Sequence, residues 1–365
     1  MMGVLNSSRK VMKDFIEKSY SMGQLHGEMK KINDPRRQNL IETVHLTKAE
    51  ENKIDTLFAA NYGKKVKYDW HRLYQSFTGK FDENYFPEYL FSSVLEPKMN
   101  PMDYRYVLDD KLLLPLFCVG VEHVRTPHTY YSISNGVCFD EKKNIVNLKN
   151  GYFNLGGAEA IIKPVQDTSS GVGVEKVKGT EAIKNNLQQK ATQKGTYVVQ
   201  ECITQNKQLS TLYAGSVNTF RVITYIWNGD VFHVPLALRI GQGGSYLDNA
   251  HAGGMFIGVN DLGELNEEAF TEFGKRFKEH PDTHTVFKGY KLSFVPDLIK
   301  IAKKLHLNAP QLGIISWDLT VDQKGEFVLI EANTRGQSVW FPQMANGTGA
   351  FGRNTEEILR YIAPK

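Results

Sequence analysis

Ser316-Trp317-Asp318-Leu319-Thr320 and Val328-Leu329-Ile330-Glu331-Ala332-Asn333-Thr334-Arg335-Gly336 read as two β-strands that carry oxygen ligands. Ile314, Ile315, Trp317 and Leu319 surround Asp318 in the first. In the second, an apolar run from Phe327 to Ile330 delivers Glu331 and Asn333 at its far end. Strand residues two apart share a face, so Glu331 and Asn333 can converge on one point. Two carboxylates and an amide oxygen make a hard-oxygen site suited to one or two Mg²⁺, or Mn²⁺, holding nucleotide phosphates. The competing reading is a β-hairpin ending in a polar turn, with Asp318 paired to a lysine.

Upstream residues are of the types a phosphate site needs. Ala160-Ile161-Ile162-Lys163-Pro164-Val165 reads as a buried strand presenting one lysine, a compact point charge for phosphate oxygens. The hydroxyl- and glycine-rich turn Gln166-Asp167-Thr168-Ser169-Ser170-Gly171-Val172-Gly173 follows directly. Its glycines let backbone N–H groups approach an anion, and its hydroxyls add donors. No G-K-[ST] follows, so it is not a Walker loop, and a plain hairpin remains open. Thr196-Tyr197-Val198-Val199-Gln200-Glu201 is an apolar strand ending in a carboxamide and a carboxylate. Gln200 can read an adenine edge and Glu201 can reach a ribose, although an ordinary strand with a polar end has the same composition.

In their order along the chain these pieces resemble the ATP-grasp superfamily. They are Asp109-Asp110-Lys111, Arg125-Thr126-Pro127-His128-Thr129, Lys163, the glycine-rich loop, Gln200-Glu201 and the set Asp318, Glu331 and Asn333. The likeness is greatest to the sugar-transfer-associated ATP-grasp proteins, related to α-L-glutamate ligases. Asn100-Pro101-Met102 and Ser216-Val217-Asn218-Thr219-Phe220-Arg221-Val222 look like that subgroup's signatures. The resemblance implies an α/β (α+β) ATP-grasp fold, two subdomains gripping ATP behind a helical N-terminal region. The expected divisions are 1–95, 96–195 and 196–365.

It also implies roles. Lys111 and Lys163 are expected to hold the α- and β-phosphates, with Thr168, Ser169, Ser170, Gly171 and Gly173 folding over them. Arg221 and Arg239 lie within apolar strand contexts, where a guanidinium needs a partner and its fork suits carboxylate or phosphate. A structural salt bridge is the alternative for both. In the mobile-looking run from Gly241 to Gly254, Asn249 matches an asparagine of glutamate ligases, and His251 is a candidate to take a proton from an amine. Arg335 is a candidate grip on the acceptor, at a point where Thr334-Arg335-Gly336 departs from the proline-glycine of other ATP-grasp ligases.

The implied function is a Mg-ATP-dependent carboxylate–amine ligase working through an acyl-phosphate. By resemblance it serves cell-surface polysaccharide or peptide-conjugate synthesis, with small-molecule, sugar-linked or amino-acid substrates. A kinase acting on a hydroxyl and a non-catalytic nucleotide-binding partner of a glycosyltransferase are the alternatives.

Composition bounds the rest. The chain has 365 residues, 41% of them hydrophobic, enough for a large core. A net charge of +4 is too slight for nucleic acid or anionic lipid. Apolar runs fall short of membrane-spanning length, and Met1 to Lys13 lacks a signal core, so a cytoplasmic enzyme is expected. Cys118, Cys138 and Cys202 are scattered and predict neither zinc nor disulfides. Amphipathic helices are expected around Val11–Tyr20 and Lys48–Ala60. The aromatics from Tyr68 to Phe91 are expected to pack against the rest of the molecule rather than stack on bases.

Overall fold

The computed structural model describes residues 2–149, 155, 159–166, 172–248 and 253–364. Two sheets carry the fold, as the α/β reading requires. Across the nine-stranded sheet the order is 124–125, 327–333, 314–321, 219–227, 236–240, 255–259, 265–270 and 276–277, with 230–233 also paired to 219–227. Only 124–125 runs parallel to its neighbour. The six-stranded sheet, antiparallel throughout, has the order 145–146, 137–140, 129–134, 196–201, 159–164 and 175–178.

Ile314–Val321 is buried at every position, with Ile315, Trp317, Leu319 and Val321 on one face and Ile314, Ser316, Asp318 and Thr320 on the other. Ile315, Trp317 and Leu319 face the helix Val295–Leu307, which contributes Val295, Leu298, Ala302 and Leu305 to the same core. Ile314 lies on the opposite face and packs with Phe86, Phe91, Ile358 and Leu359. At the start of that helix Phe294 stands without a side-chain cap, and the Ser293 hydroxyl donates to Gln208 Oε1 at 3.2 Å.

Asn228 and Gly229 both adopt left-handed backbone, at φ 49° and 85°, and turn 219–227 into 230–233. The return strand is interrupted at Val234-Pro235, where proline supplies no ladder N–H. It resumes at Leu236–Ile240, still paired to the same neighbour. After Asp110 the chain forms a 3₁₀ turn, Lys111–Leu113, and one α-turn, Leu114–Phe117, with Pro115 in its first positions.

The N-terminal region is helical, in Met2–Ile32, Pro35–Glu42, Lys48–Asn61 and Asp69–Thr78. Asp34 caps the second by accepting from Arg36 N–H, and Thr47 and Glu50 form a capping box on the third. The aromatic run packs as expected. Trp70, Tyr74, Phe77 and Tyr85 join Phe256, Phe270 and Trp340 in one core, and Phe86 and Phe91 join Tyr225 and Phe351 in another. Among the described residues no helix is long and apolar enough to cross a membrane.

Candidate active site

Strand register assembles the acidic side of the site. Asp318 lies opposite Glu331 on one neighbouring strand and opposite Arg221 on the other, so three charged residues form one row across the sheet. The register slips by one residue between Asp318 and Leu319, where Leu329 pairs with Leu319 and Ile330 is the extra residue. Strict alternation would turn Glu331 to the same side as Leu329, which is wholly buried in the core. The bulge breaks that phase, and Ile330, Glu331 and Asn333 all line a cavity of about 780 Å³.

Asp318 is buried and held by two guanidinium groups. Arg221 donates from Nε to Oδ1 at 2.9 Å and from Nη2 to Oδ2 at 3.0 Å, and Arg239 donates to Oδ2 at 2.9 Å. Arg239 also donates to Thr219 Oγ1 at 3.0 and 2.6 Å and lies 3.5 Å from Asp248, whose carboxylate accepts from the Thr219 hydroxyl. Burial pushes the Asp318 carboxyl upward, but Arg221 and Arg239 outweigh it and hold the group below the usual range. At Asp248 burial wins over Arg239, and its pKa is raised. Arg239 loses solvation too, yet Asp248 and Asp318 keep it firmly charged.

The basic side comes from the smaller sheet. Ile161 lies opposite Gln200 and shares a face with Lys163, while Ala160 and Ile162 turn to the other face and pack on Ile183 and Leu187 of the helix Thr180–Ala191. All three cavity-side residues line the same space as Asp318 and Glu331. Lys163 is buried and makes no hydrogen bond or ion pair among the described residues. Desolvation, then the nearby Lys111 ammonium, lowers its pKa to about 8 against the opposing pull of Glu331 and Asp318. Lys111 reaches across from the 3₁₀ turn to Glu331 Oε1 at 2.7 Å and to Val165 O at 3.4 Å. Gln200 donates to Thr129 Oγ1 at 3.0 Å, and its buried Oε1 meets no donor in the described structure.

Lys111, Lys163, Lys176, Arg221 and Arg239 thus share one cavity wall with Asp318, Glu331, Asp248 and Glu201. The cavity is roofed from both sides, since Tyr246 donates to Val174 O at 3.2 Å. Gly173, one residue before, has φ 77°, and a Cβ there would stand 3.1 Å from the Pro164 ring.

A family model described as sugar-transfer associated ATP-grasp matches residues 90–358. The chain belongs to this family. Among curated proteins none matches it. Several solved structures are similar to the chain at low identity. D-alanyl-alanine synthetase A from Vibrio cholerae is 14% identical with TM-score 0.39, over 70% of this chain and 65% of that one. An L-amino acid ligase from Bacillus licheniformis is 13% identical with TM-score 0.41, over 70% and 48%. D-alanine–D-alanine ligase from Bacillus anthracis is 14% identical with TM-score 0.38, over 74% and 69%. The chain therefore spans between about half and about two thirds of these proteins' lengths.

Against the expectations for an ATP-grasp protein, the cavity wall includes Lys111, Lys163, Gln200, Glu201, Arg221, Arg239, Asp318, Glu331 and Asn333. Thr168, Ser169, Ser170, Gly171, Asn249 and His251 lie outside the described residues. Three readings need amendment. Asp318 is neither a bare ligand nor a lysine partner, because two arginines occupy it. Glu201 has Oε1 engaged by Arg125 and, at 2.8 Å, by His128 N–H, so only Oε2 remains for a ribose. Arg335 does not line the cavity. It pairs with Asp109 at 3.2 Å and lies 4.7 Å from the centre of the Tyr106 ring. Asp248 and Thr219 are functional candidates that sequence reasoning passed over. The signal was an acid one residue before the chosen Asn249.

The donor set admits a divalent cation. Among the described residues no three Asp, Glu, His or Cys side chains are gathered into a metal cage. Mg²⁺, however, takes one or two carboxylates and completes its shell with phosphate and water. Glu331 fits that role, as does Asn333, whose amide nitrogen donates to Ser316 O at 3.3 Å so that its oxygen is the atom presented to a cation.

Proposed function

We propose that the chain is an ATP- and Mg²⁺-dependent carboxylate–amine ligase acting on small molecules. The observation that carries this reading is the meeting of Lys111 and Lys163 with Arg221, Arg239, Asp318, Glu331 and Asn333 around one cavity. An excess of positive charge, with one buried lysine lacking a partner, is what a polyphosphate would neutralise.

In this reading Lys163 and Lys111 hold the phosphate tail and Glu331 and Asn333 hold Mg²⁺, with Asp318 supporting from behind. Bound there, Mg²⁺ would screen phosphate charge and align the terminal phosphoryl group. Gln200 lines the wall where the adenine would lie, and Glu201 Oε2 meets the ribose. Arg221 and Arg239 are positioned by Asp318 rather than consumed by it. Each Arg fork has donors beyond those that Asp318 accepts, so both can steady a substrate carboxylate while it attacks the terminal phosphorus. The contacts of Tyr246 with Val174 close the roof and exclude water from the activated acyl group. A setting supplied with ATP places the enzyme inside the cell, and the family description supports a role in making a sugar conjugate.

The test is ADP release by the full chain with Mg-ATP and a mixed panel of carboxylates and amines, followed by product analysis. An amide product, absent with Glu331→Gln, supports the ligase. A stable phosphomonoester, or release undiminished in that variant, rejects it.

A further inference from the structure

The helix Met2–Ile32 is mounted the reverse way to most surface helices. Such a helix ordinarily turns its apolar stripe to the core and its charges to water. Here Lys13, Glu17, Tyr20 and Glu28 share the inward face. Lys13 pairs with Asp103 at 2.6 Å and Glu17 with the wholly buried Arg105 at 2.9 Å. Tyr20 donates to Glu96 at 3.3 Å, and Glu28 accepts from Trp340 Nε1 at 3.1 Å. These contacts fix the orientation, because turning the helix over would leave Arg105 and Glu96 buried without partners from it.

The apolar side chains are therefore left outside. Val11 is 65% exposed, Phe15 68% and Met22 70%, and Leu25 continues their line. Met12, 61% exposed, and Ile16 lie on its flank. An exposed apolar stripe of this kind marks a docking surface. Charge selects what covers it. Lys10, Lys18 and Lys30 are exposed on the helix and have no ion pair among the described residues, against one exposed acid, Asp14. Independently of the ligase reading, we propose that this face docks on an anionic lipid bilayer. The helix lies in the plane of the surface, its apolar side chains entering the headgroup–acyl boundary and its lysines meeting lipid phosphates. The chain's net charge of +4 predicts no such affinity; the affinity arises from where the charges sit.

Lys18 distinguishes a bilayer from a second copy of the chain. Val11, Phe15, Lys18, Met22 and Leu25 recur at intervals of four and three, so the lysine stands inside the apolar stripe. In a pair of such helices it would occupy the seam and lose its hydration beside an equally basic partner. At a bilayer its methylenes lie along the apolar surface while its ammonium reaches the phosphates.

Flotation of the full chain with vesicles of phosphatidylcholine alone, or of an equimolar mixture with phosphatidylglycerol, tests this, beside sedimentation without lipid. Binding to the mixed vesicles is expected, weakened by salt and by omission of phosphatidylglycerol. Val11→Ser/Phe15→Ser/Met22→Ser should abolish it, and Lys10→Gln/Lys18→Gln/Lys30→Gln should weaken it about 100-fold. All six side chains are exposed, so both variants should melt at the wild-type temperature; if the serine variant does not fold, the glutamine variant decides. Wild-type protein that fails to float with the mixed vesicles, or binding undiminished in a folded variant, overturns the proposal. So does a lipid-free dimer that the serine variant dissolves, which would assign the face to a second copy.

Discussion

Raising the pH from about 7 to about 9 should weaken Mg-nucleotide binding about tenfold through Lys163 alone. In the free protein this lysine has a pKa of about 8, because burial and the Lys111 ammonium both oppose its charge. It is therefore about nine-tenths protonated at pH 7 and about one-tenth protonated at pH 9. A bound polyphosphate favours the ammonium and returns its pKa toward the ordinary lysine value. Binding then takes up a proton above pH 8, so affinity is full below the free-state pKa and is lost as pH rises through it. The loss is about one decade per pH unit, or about 1.4 kcal/mol. Calorimetry with a non-hydrolysable ATP analogue and Mg²⁺, in two buffers of different ionisation enthalpy, should find about half a proton taken up near pH 8. Lys163→Arg, which stays charged, should bind with a flatter profile, and Lys163→Gln weakly at every pH. Parallel profiles for wild type and Lys163→Arg, with no proton uptake, would falsify the placement of this lysine against phosphate.

Glu331→Gln should lower ADP release about 100-fold or more while leaving nucleotide binding within about tenfold, read by steady-state turnover beside calorimetry. Asp318→Asn leaves Arg221 and Arg239 without their carboxylate and should cost about 3–5 kcal/mol in urea unfolding, with Mg-ATP restoring more stability to the variant than to wild type. Burial raises the Glu96 pKa to about 7, with the Gln337 and Gly336 N–H groups pulling it back. The folded protein thus keeps a proton that the unfolded chain releases, and stability should fall by about 3 kcal/mol as pH rises from about 4.5 to about 7. Glu96→Gln should remove that slope, and equal slopes in the two proteins would refute it.

Much of the architecture was legible because it is written in local patterns. The two apolar strands around Asp318 and Glu331, the lysine in Ala160–Val165 and the amphipathic helices around Val11–Tyr20 and Lys48–Ala60 each depend on neighbours within a few residues. Side-chain period and turn chemistry are local properties, so a linear reading recovers them. The order of those pieces was enough to indicate the family.

Pairing across the sheets could not be read in the same way. That Asp318 faces Arg221, that Arg239 reaches both Asp318 and Asp248, and that Glu201 is engaged by Arg125 depend on register between strands far apart in the chain. The slip at Ile330 turns Glu331 toward the cavity against the alternation of its own strand, and no count of residues along that strand foretells it. Arg335, adjacent in sequence to the metal strand, is drawn away to Asp109, while Arg37, some three hundred positions upstream, enters the cavity wall. Composition and spacing specify which groups the chain owns. Only packing, by bringing charges together in a poorly solvated interior where partners must be found, assigns each group its neighbour.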